Sequence, residues 1–186
     1  MSASKRPNLV PQATLDKVRL LIDAVRSGAK TKAEIAQRTG VSDRHVDYAL
    51  DGAIVLGLVN EGAAGIELAE LGRLLADSAP GSEDERASFR EAMTSSAMLR
   101  TIAPSLLRVS EPTREHVAEG LRRAASLSPA TAAHRAGTLL GWRRVVLSPQ
   151  TKLAFKKSSG MWRRIEIENY RSIAAASVEL APFSIL

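Results

Sequence analysis

The chain has 186 residues, a formal net charge of +6, 45% hydrophobic and 25% charged residues, a composition that excludes the disordered and fibrous classes. It has no cysteine, which excludes a disulfide framework, a thiolate metal site and a Cys nucleophile; its three scattered histidines, His45, His116 and His134, lack zinc-site spacing, so no metal or cofactor is expected. No apolar run approaches the ~18 residues of a membrane span and residues 1–7 lack a signal-peptide apolar region, so the expectation is a cytoplasmic protein with no membrane contact.

A mainly α fold is expected, in two small helical units followed by a short β fragment. In the first unit, residues 13–77, Leu15, Val18, Leu21, Ile22 and Val25 recur at helical spacing and predict a helix over about 14–27, with Gly28 past its end. Thr31-Lys32-Ala33-Glu34 is a capping box that opens a short helix closed by Gly40. Gly40-Val41 makes the turn, and Ser42 caps a third helix over about 43–56 with Val46, Ala49, Leu50, Ile54 and Val55 inward. Leu58-Val59-Asn60-Glu61 and Ile66-Glu67-Leu68 flank a Gly-Ala-Ala-Gly tip and predict a hairpin, after which Leu71-Gly72-Arg73-Leu74-Leu75 begins another helix.

This order, with the run Leu68-Ala69-Glu70-Leu71-Gly72 after the hairpin, resembles the winged helix-turn-helix superfamily over about 65 residues. The resemblance implies that the outer face of the third helix, bearing Arg44, His45 and Tyr48, is the one that would enter a DNA groove. Asp43, Asp47 and Asp51 share that face and would repel phosphate, so a protein contact or a homodimer is the expectation for this unit.

The second unit covers residues 83–147. Ser82-Glu83-Asp84-Glu85 places acids at the start of a helix over about 83–98, with Phe89, Ala92 and Met93 inward, and a further stretch over about 98–108 is interrupted by Pro104. Thr113 caps a helix carrying Val117, Ala118 and Leu121 and ending in Arg122-Arg123. Ser128-Pro129, an N-cap followed by proline at the first helical position, opens a helix to about Arg144. Its inward positions are Ala132, Ala133, Ala136, Leu139, Leu140 and either Trp142 or the stem of Arg143; Ser128, Ala130, Thr131, His134, Arg135 and Thr138 face outward.

The charge distribution singles out this region. Residues 113–164 hold 11 Lys and Arg against 2 Asp and Glu, a local charge of +9, whereas residues 1–112 sum to −1 and 165–186 to −2. Local positive charge is what neutralises phosphates and releases their counterions, so double-stranded DNA is the expected partner. Short helix, turn and longer helix around Leu127-Ser128-Pro129 resemble helix-turn-helix units found beside ATPases and nucleases in prokaryotic defence loci. The resemblance implies Arg135, Thr131, His134 and Thr138 facing the groove, with Arg122, Arg123, Arg143 and Arg144 on phosphates. No nucleophile–base pair or carboxylate cluster suggests catalysis.

Residues 148–160 are read as a basic, aperiodic linker. From Met161 the texture alternates at period two. Ile165-Glu166-Ile167-Glu168-Asn169-Tyr170-Arg171-Ser172-Ile173, followed by Leu180-Ala181-Pro182-Phe183-Ser184-Ile185-Leu186, resembles the opening strands of SMC-type and overcoming-lysogenization-defect-type ABC ATPases. That pattern leads into a GxxxxGK[ST] phosphate loop, which this sequence does not contain. The expectation is therefore a non-catalytic DNA-binding protein that carries the start of an ATPase domain over 161–186. It would be a targeting part or regulator of an ATPase–nuclease system, with an ATPase or nuclease as a possible partner; the alternative is a protein-interaction or dimerisation module without a nucleic-acid role.

Overall fold

A computed structural model describes residues 11–108 and 110–147, and the backbone of 154–158 and 161–165. The protein is mainly helical, and among the described residues there are eight helices and four strands. The chain divides into two compact units, residues 1–149 and 150–186.

The first unit begins with α1 (Leu15–Arg26), α2 (Lys32–Thr39) and α3 (Asp43–Val55). The capping box forms as its spacing requires: Thr31 accepts from the Glu34 amide at 3.2 Å and Glu34 returns to the Thr31 amide at 3.1 Å. These backbone bonds, with that of Lys30 first among them, hold the Glu34 carboxyl below its ordinary range. Gly40 ends α2 in the left-handed region, φ +66°, where a side chain would be strained. Ser42 departs from its expected role, since its hydroxyl is bound to His45 Nδ1 at 2.8 Å and caps no backbone amide.

Strands β1 (Val59–Gly62) and β2 (Gly65–Leu68) pair antiparallel, with Val59 opposite Leu68 and Gly62 opposite Gly65. The hairpin is tied to the helices at two points: Ile66 N–H donates to Lys30 O, and Ala69 N–H donates to Leu58 O, both at 2.9 Å. The next helix, α4 (Glu70–Asp77), crosses this second point closely enough that a Cβ on Gly72 would lie 2.0 Å from Leu58 O.

Helix α5 (Glu83–Ser95) is followed at once by α6 (Ala97–Ile102), a separate helix because Ser96 intervenes. Its buried hydroxyl donates to Val55 O at 2.7 Å and accepts from the Leu99 amide. Helix α6 stops before Pro104, which removes a donor and disfavours a helical residue ahead of it. Then α7 (Arg114–Ala125) and α8 (Pro129–Leu147) pack on one another, and α8 also packs on α5.

The sequence boundary near residues 78–82 does not separate two bodies. One hydrophobic cluster runs from Ala13 to Val146, and polar side chains bridge it. Arg19, buried on α1, donates to Leu75 O, to Ser78 O and Oγ, to Asp23 and to Glu85 on α5. Trp142 of α8 is buried and its Nε1–H donates to Ala13 O at 2.8 Å. A Cβ on Gly52 of α3 would lie 3.1 Å from Val18 Cγ2 of α1 and 3.6 Å from the Trp142 ring, so the tight neighbour there is Val18 and the indole lies at ordinary contact distance.

In the second unit, β3 (Ala154–Ser158) pairs antiparallel with β4 (Met161–Ile165), Ala154 opposite Ile165 and Ser158 opposite Met161. Part of the expected linker is thus strand. The sequence signal was the two-residue Ser159-Gly160 step between stretches containing Phe155 and Trp162, a hairpin spacing. The ATPase-like stretch lies, apart from Met161–Ile165, outside the described residues.

Candidate nucleic-acid interface

Helices α7 and α8 meet in a tight corner. Ser126 leaves α7 in the left-handed region, φ +48°, Leu127 follows, and Ser128 caps α8 by accepting from the Thr131 amide at 3.3 Å while donating to the Thr131 hydroxyl at 2.9 Å. The same three-residue grammar, a left-handed residue, an aliphatic and a serine, joins α2 to α3 as Gly40-Val41-Ser42. Pro129 occupies the first position of α8, where its missing N–H leaves no helical bond unmade.

Around this corner the surface is basic. Arg122 and Arg123, in the last turn of α7, are 48% and 73% exposed and share one carboxylate, Glu119, at 3.0 and 3.4 Å. Two guanidiniums on one carboxylate leave a positive excess, and exposed pairs of this kind are worth only about 0–1 kcal/mol each, so phosphate can compete for them. On α8, Ala130 and His134 are exposed, and Thr131 and Thr138 are half-buried. Across the helix pair, Arg114 Nε donates to Ala133 O at 2.8 Å.

Two of the remaining arginines, Arg143 and Arg135, are placed differently from the sequence expectation. Arg143 is buried, 8% exposed, and its Nη2 donates to Arg108 O at 2.9 Å, so its guanidinium is an internal strut and does not face a phosphate. The reason is its side of the helix: Arg143 lies one turn from Leu139 and Leu140, on the packed face. Arg144 is 70% exposed and lies 3.8 Å from Glu111. Thirteen residues of helix, about 20 Å, separate it from Thr131, so it is not part of the corner.

Arg135 is half-buried on the side of α8 that meets the segment before α1. With the Gln12 amide assigned so that its oxygen faces the guanidinium, that oxygen accepts from both Arg135 Nη atoms, at 3.2 and 2.6 Å. Burial pulls the Arg135 pKa down, against the opposing pull of Tyr48 and Asp51 on α3.

On α3, Arg44 and His45 are exposed. Arg44 Nε donates to Tyr48 Oη at 2.6 Å with its guanidinium carbon 5.5 Å from the ring centroid, and His45 stands edge-on to the same ring at 6.2 Å. Of the three aspartates on this helix, Asp47 is paired with Lys32 at 2.5 Å and Asp51 feels Arg135, so local cations offset part of the negative charge. The hairpin adds Glu61 and Glu67 and no lysine or arginine. Among the described residues no cluster of three or more His, Cys, Asp or Glu could hold a metal, and no helix is long and apolar enough to cross a membrane. No protein-family model, curated protein or solved structure matches the chain.

Proposed function

We propose that the chain is a non-catalytic DNA-binding protein that meets duplex DNA with the α7–α8 corner. The observation that carries this reading is the coincidence of shape and charge: a capped helix start follows a three-residue turn, with Arg122 and Arg123 exposed at its flank. In this reading Ala130, Thr131, His134 and Thr138 face the groove and Arg122 and Arg123 hold phosphates. Phosphate contacts position the protein, and the short side chains at 130, 131 and 138 let the helix approach base edges. Residues 13–77 are read as a winged helix-turn-helix unit. The likeness of residues 165–186 to ATPase opening strands supports a role as the targeting part or regulator of an ATPase–nuclease system.

A second reading has its own support. The outer face of α3 carries three aspartates whose charge local cations offset in part, the hairpin is acidic, and Leu74 on α4 is 53% exposed, features that suit a protein partner or a second copy.

One titration separates the two. Binding to a labelled duplex is followed by anisotropy across a salt series, with light scattering read in parallel. The DNA reading expects affinity to fall steeply with salt, and the Arg122→Glu/Arg123→Glu variant to bind on the order of 10- to 100-fold more weakly. Absent or salt-insensitive binding overturns it, and a mass of twice the chain without DNA favours the interaction reading.

A further inference from the structure

Two side chains on one face of α8 grip the short segment ahead of α1. Trp142 donates to the carbonyl of Ala13, and Arg135, seven residues earlier, is bound to the side chain of Gln12. Seven residues are two helical turns, about 10 Å, so consecutive residues of the segment hold α8 at two separated points. Pro11 and Ala13 are buried and Gln12 is half-buried, which makes this segment part of the packed body. Beside its packing on α7 and α5, α8 is thereby tied to this segment at two points along its axis. The contact at Arg135 lies within the two turns that bear Thr131, His134 and Thr138.

We infer that Arg135 and Gln12 are positioning residues for the α7–α8 corner: the guanidinium, held by the Gln12 oxygen and facing Tyr48 and Asp51 of α3, sets the orientation of α8 on DNA and does not itself take up a phosphate. The inference rests on the DNA-binding reading and revises one part of it. Arg135 stands in the outward set by sequence spacing, yet it is half-buried and each of its Nη atoms already donates one hydrogen bond to an acceptor within the protein. Burial of its charge, which carries a desolvation cost, is consistent with a fixed internal partner. Gln12 is uncharged and lies more than 100 residues away in sequence, so replacing it changes neither the charge nor any residue of the corner itself.

The experiment compares wild type, Gln12→Ala, Arg135→Gln and the double variant in the full chain, each in the same duplex titration over a salt series, with thermal melting recorded for each. Positioning predicts that either single change weakens binding by about tenfold, as expected for a lost hydrogen bond to a charged group. It further predicts that the double variant is no weaker than the singles and that the slope of log affinity against log salt stays at the wild-type value. If Arg135 contacts phosphate, Arg135→Gln lowers the slope by about one and Gln12→Ala leaves binding unchanged; that result overturns the inference. Unchanged affinity in every variant, with only lowered melting temperatures, also overturns it, by making the contact merely structural. The reading it rests on is tested separately by Arg122 and Arg123: their loss of binding alongside silent Arg135 and Gln12 variants would sink this inference alone, whereas wild type that does not bind duplex would sink both.

Discussion

Arg19 shows how one buried side chain organises its surroundings. Its donors reach two carboxylates, two carbonyls and a hydroxyl on α1, α4, α5 and the loop between the last two, so the charge is compensated where water is excluded. Glu85, one of these partners, also accepts from the Gly81 amide. Burial nevertheless raises its pKa, the Gly81 bond and the Arg19 charge opposing that shift. Because its folded value lies above the unfolded one, Glu85 favours folding most below the ordinary carboxylate range, near 4.3, and that contribution is lost as pH rises through the raised value. Replacing Glu85 by Gln removes this titration. The stability of wild type relative to Glu85→Gln is therefore expected to decrease as pH is raised from about 3 to about 7, measured by denaturant unfolding at several pH values; an increase over that range would contradict the assignment.

Elements in this protein approach one another closely where glycine allows it. Gly72 sits in the first turn of α4, directly over the carbonyl of Leu58, and that carbonyl also receives the Ala69 amide. A methyl group at 72 has no space, since the atom it meets belongs to the backbone and cannot rotate aside. Gly72→Ala is expected to destabilise the folded state by about 1–3 kcal/mol or more, although alanine is the better helix former; a chemical melt checks this, and a neutral or stabilising result would mean the hairpin can retreat. Gly120 plays the same part where α7 crosses Ile102 O, at 2.3 Å from a hypothetical Cβ. A glycine inside a helix is by itself only a poor helix former. The backbone partners of Gly72 and Gly120 explain these two.

At the scale of the whole molecule, the two helical units expected from sequence share one core within residues 1–149. Trp142 reaches Ala13, Arg90 donates to Val146 O at 2.8 Å, and Arg19 ties α1 to α5. A chain cut after residue 77 loses the Trp142 contacts at Ala13 and beside Gly52 of α3, and the ion pair that Glu85 completes with Arg19. Such a fragment is expected to melt without cooperativity, whereas a chain ending at residue 149 is expected to unfold in a single transition, followed by circular dichroism against temperature. Two separable transitions in the longer chain would show that the helical halves are independent.

The helices were largely readable from the amino-acid order because their signals are local. Thr31 with Glu34, Gly40, Ser128 with Pro129, and the break before Pro104 each act within a turn or two, and periodic apolar residues marked the faces that became buried. The fate of individual polar side chains was not readable, because it depends on residues far away in the chain. Arg143 and Arg135 look alike in sequence to Arg122 and Arg123; only packing turned one toward Arg108 O, the second toward Gln12, and left the other two at the surface with a single shared carboxylate. Spacing along a helix states which side a residue occupies, and the tertiary structure alone decides what stands opposite that side.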